Sequence, residues 1–211
     1  MTLSAHPPHP TPPSDPSTKP AVAAATVDAP GDKLAARWDA ERQALAQAAL
    51  AAGAAPGIAR PEQVAGLSGL QVMQAMLAGE LPFSHIAQTL DFGLIEVAHG
   101  RVVFQGTPQL AHYNPLGTVH GGWFATLLDS ALGCAVHTTM KPGYAYTTAE
   151  LSVNLVRAAS EKTGPLRAIG QVVHSGRQLA TAEARLVDAS GKLYAHGTTT
   201  CLVFEKRAPK P

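Results

Sequence analysis

The chain has 211 residues, enough for one domain of ordinary size with an additional tail. Its 16 Lys and Arg and 15 Asp and Glu residues give a formal net charge of +1, which provides no strong field to attract nucleic acid or an anionic membrane surface. Two cysteines are too few for a disulfide framework, and the N-terminus has no basic segment followed by an apolar core, so we expect a cytoplasmic protein.

The N-terminal third divides into two parts by composition. Residues 1–31 are rich in Pro, Ala, Ser and Thr and hold almost no large apolar side chain, which predicts a disordered extension. Residues 32–66 comprise a predicted helix from Asp32 to about Ala52, rich in Ala, Arg and Gln, and then a Gly/Pro-rich linker. The apolar content of this helix is low, so it either packs lightly on the body of the protein or protrudes.

The remaining residues, 67–206, carry the periodic patterns of a folded domain. A short amphipathic helix over 68–77 is followed by a hairpin with Gly100 at its turn. A long apolar segment comes next, and period-2 alternation then predicts four strands over residues 145–157, 166–174, 177–187 and 193–204. Small residues at 180, 182 and 184 lie on one face of the third of these strands, which would let a helix approach closely.

The apolar segment Trp123–Val136 is the centre of this arrangement. Apolar residues occupy nearly every face of the helix that it predicts, which indicates burial inside the domain. Asp129 is the one carboxylate within it. The expected fold is therefore α+β, an antiparallel sheet wrapped around one long helix, with a sheet face or edge that needs a partner chain.

The strand after this helix has two distinct faces in the alternation pattern. Ala149, Leu151, Val153 and Leu155 are predicted on one face, with Thr148, Glu150, Ser152 and Asn154 on the other.

Several motifs together resemble a known family. The pattern N-x-x-G-x-x-H-G-G-x6-D, from Asn114 to Asp129, resembles the hotdog-fold acyl-CoA thioesterases of the PaaI (phenylacetate-pathway) type. Residues 147–151, 175–180 and 188–191 are similar to the family's first strand after the helix and to its closing hairpins. The resemblance covers about residues 68–205, and it implies a homodimer, assembled further as a dimer of dimers (a homotetramer), that acts on acyl-CoA.

The start of the central helix and its carboxylate suit thioester hydrolysis. Unpaired N–H groups at a helix start carry partial positive charge, so the Gly121 N–H is predicted to bind the carbonyl oxygen, as the resemblance also implies. The alternative is that the glycines only permit tight helix entry. Asp129 is the predicted general base or nucleophile, with a structural capping role as its alternative.

The spacing of these two residues predicts a shared site. Eight residues of helix separate Gly121 from Asp129, which is about 12 Å along the axis. One thioester carbon cannot contact both groups of the same helix, so the donor and the carboxylate are expected to come from different subunits of a symmetric dimer.

The resemblance implies roles for further residues. Asn114 would position substrate or water, with an Asx-turn as the alternative, and His120 would support the loop or the thioester by hydrogen bonding. Thr148 would orient the water or nucleophile, unless it is only an exposed strand residue. The segment Ser175-Gly176-Arg177 would contact the nucleotide of coenzyme A. Trp123, Phe124 and Met140 could line an acyl pocket, although core packing is the commoner use of such residues.

These observations favour hydrolysis of an acyl-CoA to the free acid and CoA, without cofactor. The remaining histidines show no metal-ligand spacing, so no metal is expected. Two alternatives stay open, a hotdog hydratase or dehydratase and a non-catalytic acyl-CoA sensor.

Overall fold

The computed structural model describes residues 30–206, and the predicted disordered extension lies almost wholly outside them. The helices are α1 Pro30–Ala51, α2 Pro61–Val64, α3 Gly69–Ala78, α4 His85–Thr89 and α5 Gly121–His137. The strands are β1 Phe92–Ala98, β2 Arg101–Gly106, β3 Tyr144–Leu155, β4 Leu166–Ser175, β5 Leu179–Asp188 and β6 Leu193–Glu205. Within these described residues, no helix combines the length and the apolarity needed to cross a bilayer.

The six strands form one antiparallel sheet in the order β1-β2-β4-β5-β6-β3. The helix α5 packs against β2, β3, β4, β5 and β6, so the sheet curves around it. This is the predicted α+β architecture, and it leaves β1 and β3 as the two edge strands.

The interior of the domain lies between α5 and the sheet. Leu127, Leu128, Ala131 and Leu132 of α5 are completely buried. The predicted row of small residues on β5 (Ala180, Ala182, Ala184) is buried beneath the helix, as expected. On β4, a Cβ added to Gly170 would lie only 2.3 Å from the Ala131 carbonyl oxygen, so the closest approach of helix and sheet requires glycine.

The predicted faces of β3 are wrong at one point, because the strand contains a bulge. The pairing with β6 shifts between Thr148 and Glu150, so Ala149 is an extra residue and the alternation changes phase there. Thr148, which pairs with the buried Cys201, therefore lies on the same helix-facing side as Val153 and Leu155. Period-2 alternation alone placed Thr148 on the opposite face.

The helix α1 packs on the body of the protein through polar contacts. Arg42 forms an ion pair with Asp91 at 2.5 Å, and Glu41 forms one with Arg167 at 2.7 Å. The Arg167 guanidinium also lies 4.3 Å from the centre of the Trp38 ring, a cation–π contact. These contacts explain how a helix of low apolar content is held against the sheet.

Candidate active site

His120 caps the start of α5. Its side-chain Nδ1 accepts a hydrogen bond from the Gly122 N–H at 2.8 Å, and the backbone N–H of His120 donates to the His112 carbonyl at 2.8 Å. A neutral His120 whose Nδ1 accepts in this way carries its proton on Nε2. Neither ring nitrogen is then free to accept a proton from water, which favours the positioning role over that of a general base.

The Gly121 N–H is the first donor of α5. The first N–H groups of a helix have no partner within it, and across residues 30–206 no hydrogen bond uses this donor. Leu155 of β3 lies directly above, since a Cβ added to Gly121 would be 2.8 Å from Leu155 Cδ1. Gly121 therefore keeps a free N–H at a position where β3 leaves little room for a side chain. The contact between Gly121 and Leu155 was not predicted from the sequence.

Asn114 organises the loop before α5. Its Oδ1 accepts from the Leu116 N–H at 2.9 Å and the Thr118 N–H at 3.3 Å, while its Nδ2 donates to Thr118 Oγ1 at 3.0 Å. This is the Asx-turn that the sequence left as the alternative. In a single protomer, the carboxamide holds the loop that leads into His120 and Gly121.

Asp129 lies half-buried in the middle of α5 beside β3. The Thr148 hydroxyl donates to its Oδ1 at 3.4 Å, and within residues 30–206 the carboxylate forms no ion pair. Burial raises the pKa of Asp129, and the Thr148 hydrogen bond opposes that rise. A carboxylate with a raised pKa is a better proton acceptor near neutral pH than an exposed one.

The neighbours of Asp129 stay protonated at neutral pH. Burial, reinforced by the negative charge of Asp129, raises the pKa of the Cys134 thiol to about 12. Burial likewise raises the pKa of Tyr146 well above its usual range. Neither neighbour therefore adds a second negative charge beside Asp129.

The Ser175-Gly176-Arg177 segment lies at the other end of α5. Ser175 Oγ is 2.8 Å from the hydroxyl of Thr139, two residues beyond the helix. Gly176 donates its N–H to the Leu179 carbonyl at 2.8 Å, which closes the β4–β5 turn, and Arg177 is exposed. The turn thus exposes the Arg177 side chain to solvent, and within residues 30–206 this side chain forms no ion pair.

Sequence comparison identifies the family to which these features belong. A model of the thioesterase superfamily matches residues 116–195. Over 111 residues the chain is 32% identical to acyl-coenzyme A thioesterase 13 of Homo sapiens, an alignment that spans 51% of this chain and 76% of that protein. The chain belongs to the thioesterase superfamily.

Solved structures agree with this assignment. A phenylacetic acid degradation-related protein of Ralstonia eutropha JMP134 is 30% identical, with a TM-score of 0.56 over 62% of this chain and 98% of its own. The PaaI protein from the phenylacetic acid degradation operon of E. coli, at 22% identity, shares the fold, with a TM-score of 0.57 over 65% of this chain and 94% of its own. The predicted hotdog fold and the predicted class, a thioester hydrolase, are confirmed.

In this thioesterase, the predicted site residues form three separate groups within one chain. Asn114, His120 and Gly121 lie at the start of α5, Asp129 and Thr148 at its middle, and Ser175–Arg177 near its end. Trp123, Phe124 and Met140 are buried in the core instead of lining a pocket.

Proposed function

We propose that this thioesterase hydrolyses an acyl-CoA to the free acid and CoA at a site shared by two subunits. The main observation in support is that α5 has an unpartnered Gly121 N–H at its start and the half-buried Asp129 eight residues later. The names of its relatives, acyl-coenzyme A thioesterase 13 among them, support the substrate class.

In the proposed reaction, the Gly121 N–H of one subunit hydrogen-bonds the thioester carbonyl oxygen. Asp129 of the other subunit accepts a proton from water as the water oxygen adds to the carbonyl carbon. Negative charge then develops on the oxygen held by the N–H, which is where a preorganised donor stabilises the transition state most. Collapse breaks the C–S bond, and the CoA thiolate leaves and takes up the proton.

A covalent route uses the same residues. Asp129 would attack the carbonyl carbon directly and form a mixed anhydride, which water then hydrolyses. One turnover in water enriched in oxygen-18 detects the covalent route when water attacks the Asp129 carbonyl of the anhydride, because label then enters the Asp129 carboxylate. Label found only in the acid product excludes that attack and agrees with the general-base route or with an anhydride that water opens at the acyl carbon.

The edge strand β3 supports assembly as a dimer. Its one partner within residues 30–206 is β6, and Leu151 and Leu155 on its helix-facing side are 38% and 52% exposed. An unpaired edge with exposed apolar residues is suited to pairing with a second copy, which would bring two α5 helices together. The two-fold symmetry would give two sites per dimer.

A second apolar surface supports the proposed dimer of dimers. Leu179 and Leu202 are paired across β5 and β6 on the sheet face that points away from α5, and Phe204 follows on the same face. All three are more than 40% exposed.

The cytoplasmic location and the domain boundaries stay predictions.

Coenzyme A would be held partly by the β4–β5 turn. Arg177 offers the cation that phosphates prefer, and Ser175 and Gly176 complete the turn that carries it.

The test is release of free thiol from a panel of acyl-CoAs, including acetyl-, octanoyl- and phenylacetyl-CoA. Thiol release from at least one member, together with the free acid in equal amount, is the expected result. Water addition to an enoyl-CoA without thiol release would point to the hydratase alternative, and tight binding without turnover would point to a sensor.

A further inference from the structure

A cavity of about 370 Å³ lies between α1, α3, α4, β1 and the central helix. Its walls are mainly apolar, with Leu45 and Ala49 from α1, Met76 and Leu77 from α3, and Phe92 and Phe104 from the sheet. This volume falls near the lower end of the range of about 300–1,000 Å³ for small-molecule sites. The residues of the predicted acyl pocket, Trp123, Phe124 and Met140, are not part of it.

The cavity reaches α5 next to the proposed catalytic carboxylate. Ser130 and Cys134 line it, and Ser130 directly follows Asp129 in the helix. Successive residues of an α-helix point about 100° apart around its axis. Ser130 and Cys134 therefore lie about 100° and 140° around the helix axis from Asp129, so the cavity is on the neighbouring side of the helix.

The charges in the cavity wall argue for an uncharged occupant. Arg42 is the one cation among the lining residues, and its guanidinium is paired with Asp91, also in the wall, at 2.5 Å. Asp91 accepts a second hydrogen bond from the Gln109 side chain. Because the cation is already neutralised by its neighbour, the wall offers no free charge for the phosphates of a nucleotide.

The outer wall is contributed by an element outside the family resemblance. The motifs that resemble the PaaI-type thioesterases lie within residues 68–205, whereas α1 comprises Pro30–Ala51. Ala46 and Leu50 of α1 are exposed residues of the cavity lining, so this helix forms part of its rim. Part of the cavity wall is thus formed by an element that lies outside the motifs of the resemblance.

We propose that this cavity binds the acyl group of the substrate, and that α1 sets its preference for a medium-length alkyl or aryl acyl group. The inference rests on the proposed function, since it assigns the substrate class of the same site. Apolar walls bind such a group by removing it from water, and the thioester would lie where the cavity wall on α5 meets the side of the helix that carries Asp129.

The first test measures binding without turnover. Acyl-CoAs of two, four, six and eight carbons are titrated into the Asp129→Asn variant by isothermal titration calorimetry. Each added methylene that enters the cavity should tighten binding about fourfold, the factor that corresponds to full burial of one methylene. Affinity that is the same from acetyl- to octanoyl-CoA would overturn the inference.

Two pairs of α1 variants in the same Asp129→Asn background locate the binding site. Ala46→Phe places a large side chain at the rim, and Ala44→Phe is its control at an exposed position outside the cavity. Leu45→Ala removes part of the wall, and Leu34→Ala is its control elsewhere on α1. The ratio of octanoyl- to acetyl-CoA affinity should fall about tenfold or more in Ala46→Phe and Leu45→Ala, and stay unchanged in the two controls.

Thiol release separates the failure of this inference from failure of the proposed function. This test uses Ala46→Phe and Leu45→Ala in chains with an intact Asp129. If these variants release thiol with the same dependence on acyl-chain length as the wild type, the cavity is not the acyl site and the hydrolase proposal stands. If no acyl-CoA is hydrolysed, the proposed function fails, and the binding ratios alone decide whether the cavity takes an acyl group.

Discussion

The Thr148 hydroxyl donates to the Asp129 carboxylate at 3.4 Å because a bulge at Ala149 turns Thr148 toward the central helix. In an unbulged strand, Thr148 and Leu155 would point to opposite faces. The bulge places both above α5, Thr148 beside Asp129 and Leu155 above Gly121. Within one subunit, β3 thus contacts the Asp129 of one proposed site and the Gly121 of the other.

Replacing the carboxylate should abolish most of the activity. Asp129→Asn is nearly isosteric but cannot accept a proton or attack a carbonyl, so kcat should fall by about 10²–10⁴-fold, the usual contribution of a general base. Thiol release under saturating acyl-CoA measures the loss. Near-normal turnover of the variant on every acyl-CoA would exclude Asp129 from the chemistry.

Removing the Thr148 hydroxyl should shift the pH profile. The hydrogen bond from Thr148 lowers the pKa of Asp129 against the larger effect of burial, so Thr148→Val should raise that pKa further. Because the deprotonated carboxylate is the active form, the acidic limb of the kcat/KM profile should move to higher pH. Thr148→Ser keeps the hydroxyl and should leave the limb in place. A profile unchanged in Thr148→Val would mean that the contact does not affect the reacting group.

The raised pKa of Asp129 should also appear in the stability. Burial raises the folded-state pKa, so between the unfolded and folded values the folded chain binds more protons, and its stability falls as pH rises through this window. Asp129→Asn removes this cost. Its melting temperature should therefore exceed that of the wild type at pH 8, and the difference should shrink below about pH 4, near the ordinary pKa of aspartate.

Asp188 provides a control, because its pKa is shifted in the opposite direction to that of Asp129. Burial acts to raise its pKa, but hydrogen bonds from Ser190 and from the Lys192 N–H outweigh it and lower the pKa overall. Asp188→Asn should therefore lower the melting temperature at pH 8, and this loss should diminish in acid. Melting curves of both variants from pH 3 to pH 8 check the prediction. Equal shifts of the same sign would contradict it.

The β4–β5 turn should affect binding and not chemistry. Arg177→Ala should raise the KM for acyl-CoA about tenfold with little change in kcat, on the scale of one hydrogen bond to a charged group. An acyl-pantetheine substrate lacks the nucleotide phosphates, and its KM should stay unchanged. Arg185→Ala, at an exposed position in the middle of β5, is the control. A loss of kcat in Arg177→Ala with both substrates would refute the assignment.

The elements of the fold could be predicted because each follows from a local pattern. The all-round apolarity of α5, the alanine row of β5 and the glycine at the β1–β2 turn each determine one element from a few neighbouring residues. Which residues of β3 face the helix could not be predicted on both sides of the bulge. Ala149 is an ordinary strand residue, and the bulge is visible only in the pairing with β6.

The candidate site could be predicted in part for the same reason. Gly121, His120 and Asp129 lie on one helix, so their order along it follows from the sequence. The position of α1 depends on Arg167, which lies 126 residues beyond its ion-pair partner Glu41. No local pattern encodes a contact over that separation, and the cavity that α1 encloses was missed with it.

The most direct test of the central claim is activity in mixed dimers. Gly121→Pro removes the proposed donor at a position where helices tolerate proline, with Leu155→Ala in the same chain to make room for the ring, and Asp129→Asn removes the carboxylate. Each variant alone should be nearly inactive. In a heterodimer of the two, the intact Gly121 and the intact Asp129 belong to different subunits, so one of the two sites is complete and about half of the wild-type activity should return. A purified heterodimer that stays as inactive as its parents would show that the donor and the carboxylate do not meet across the interface.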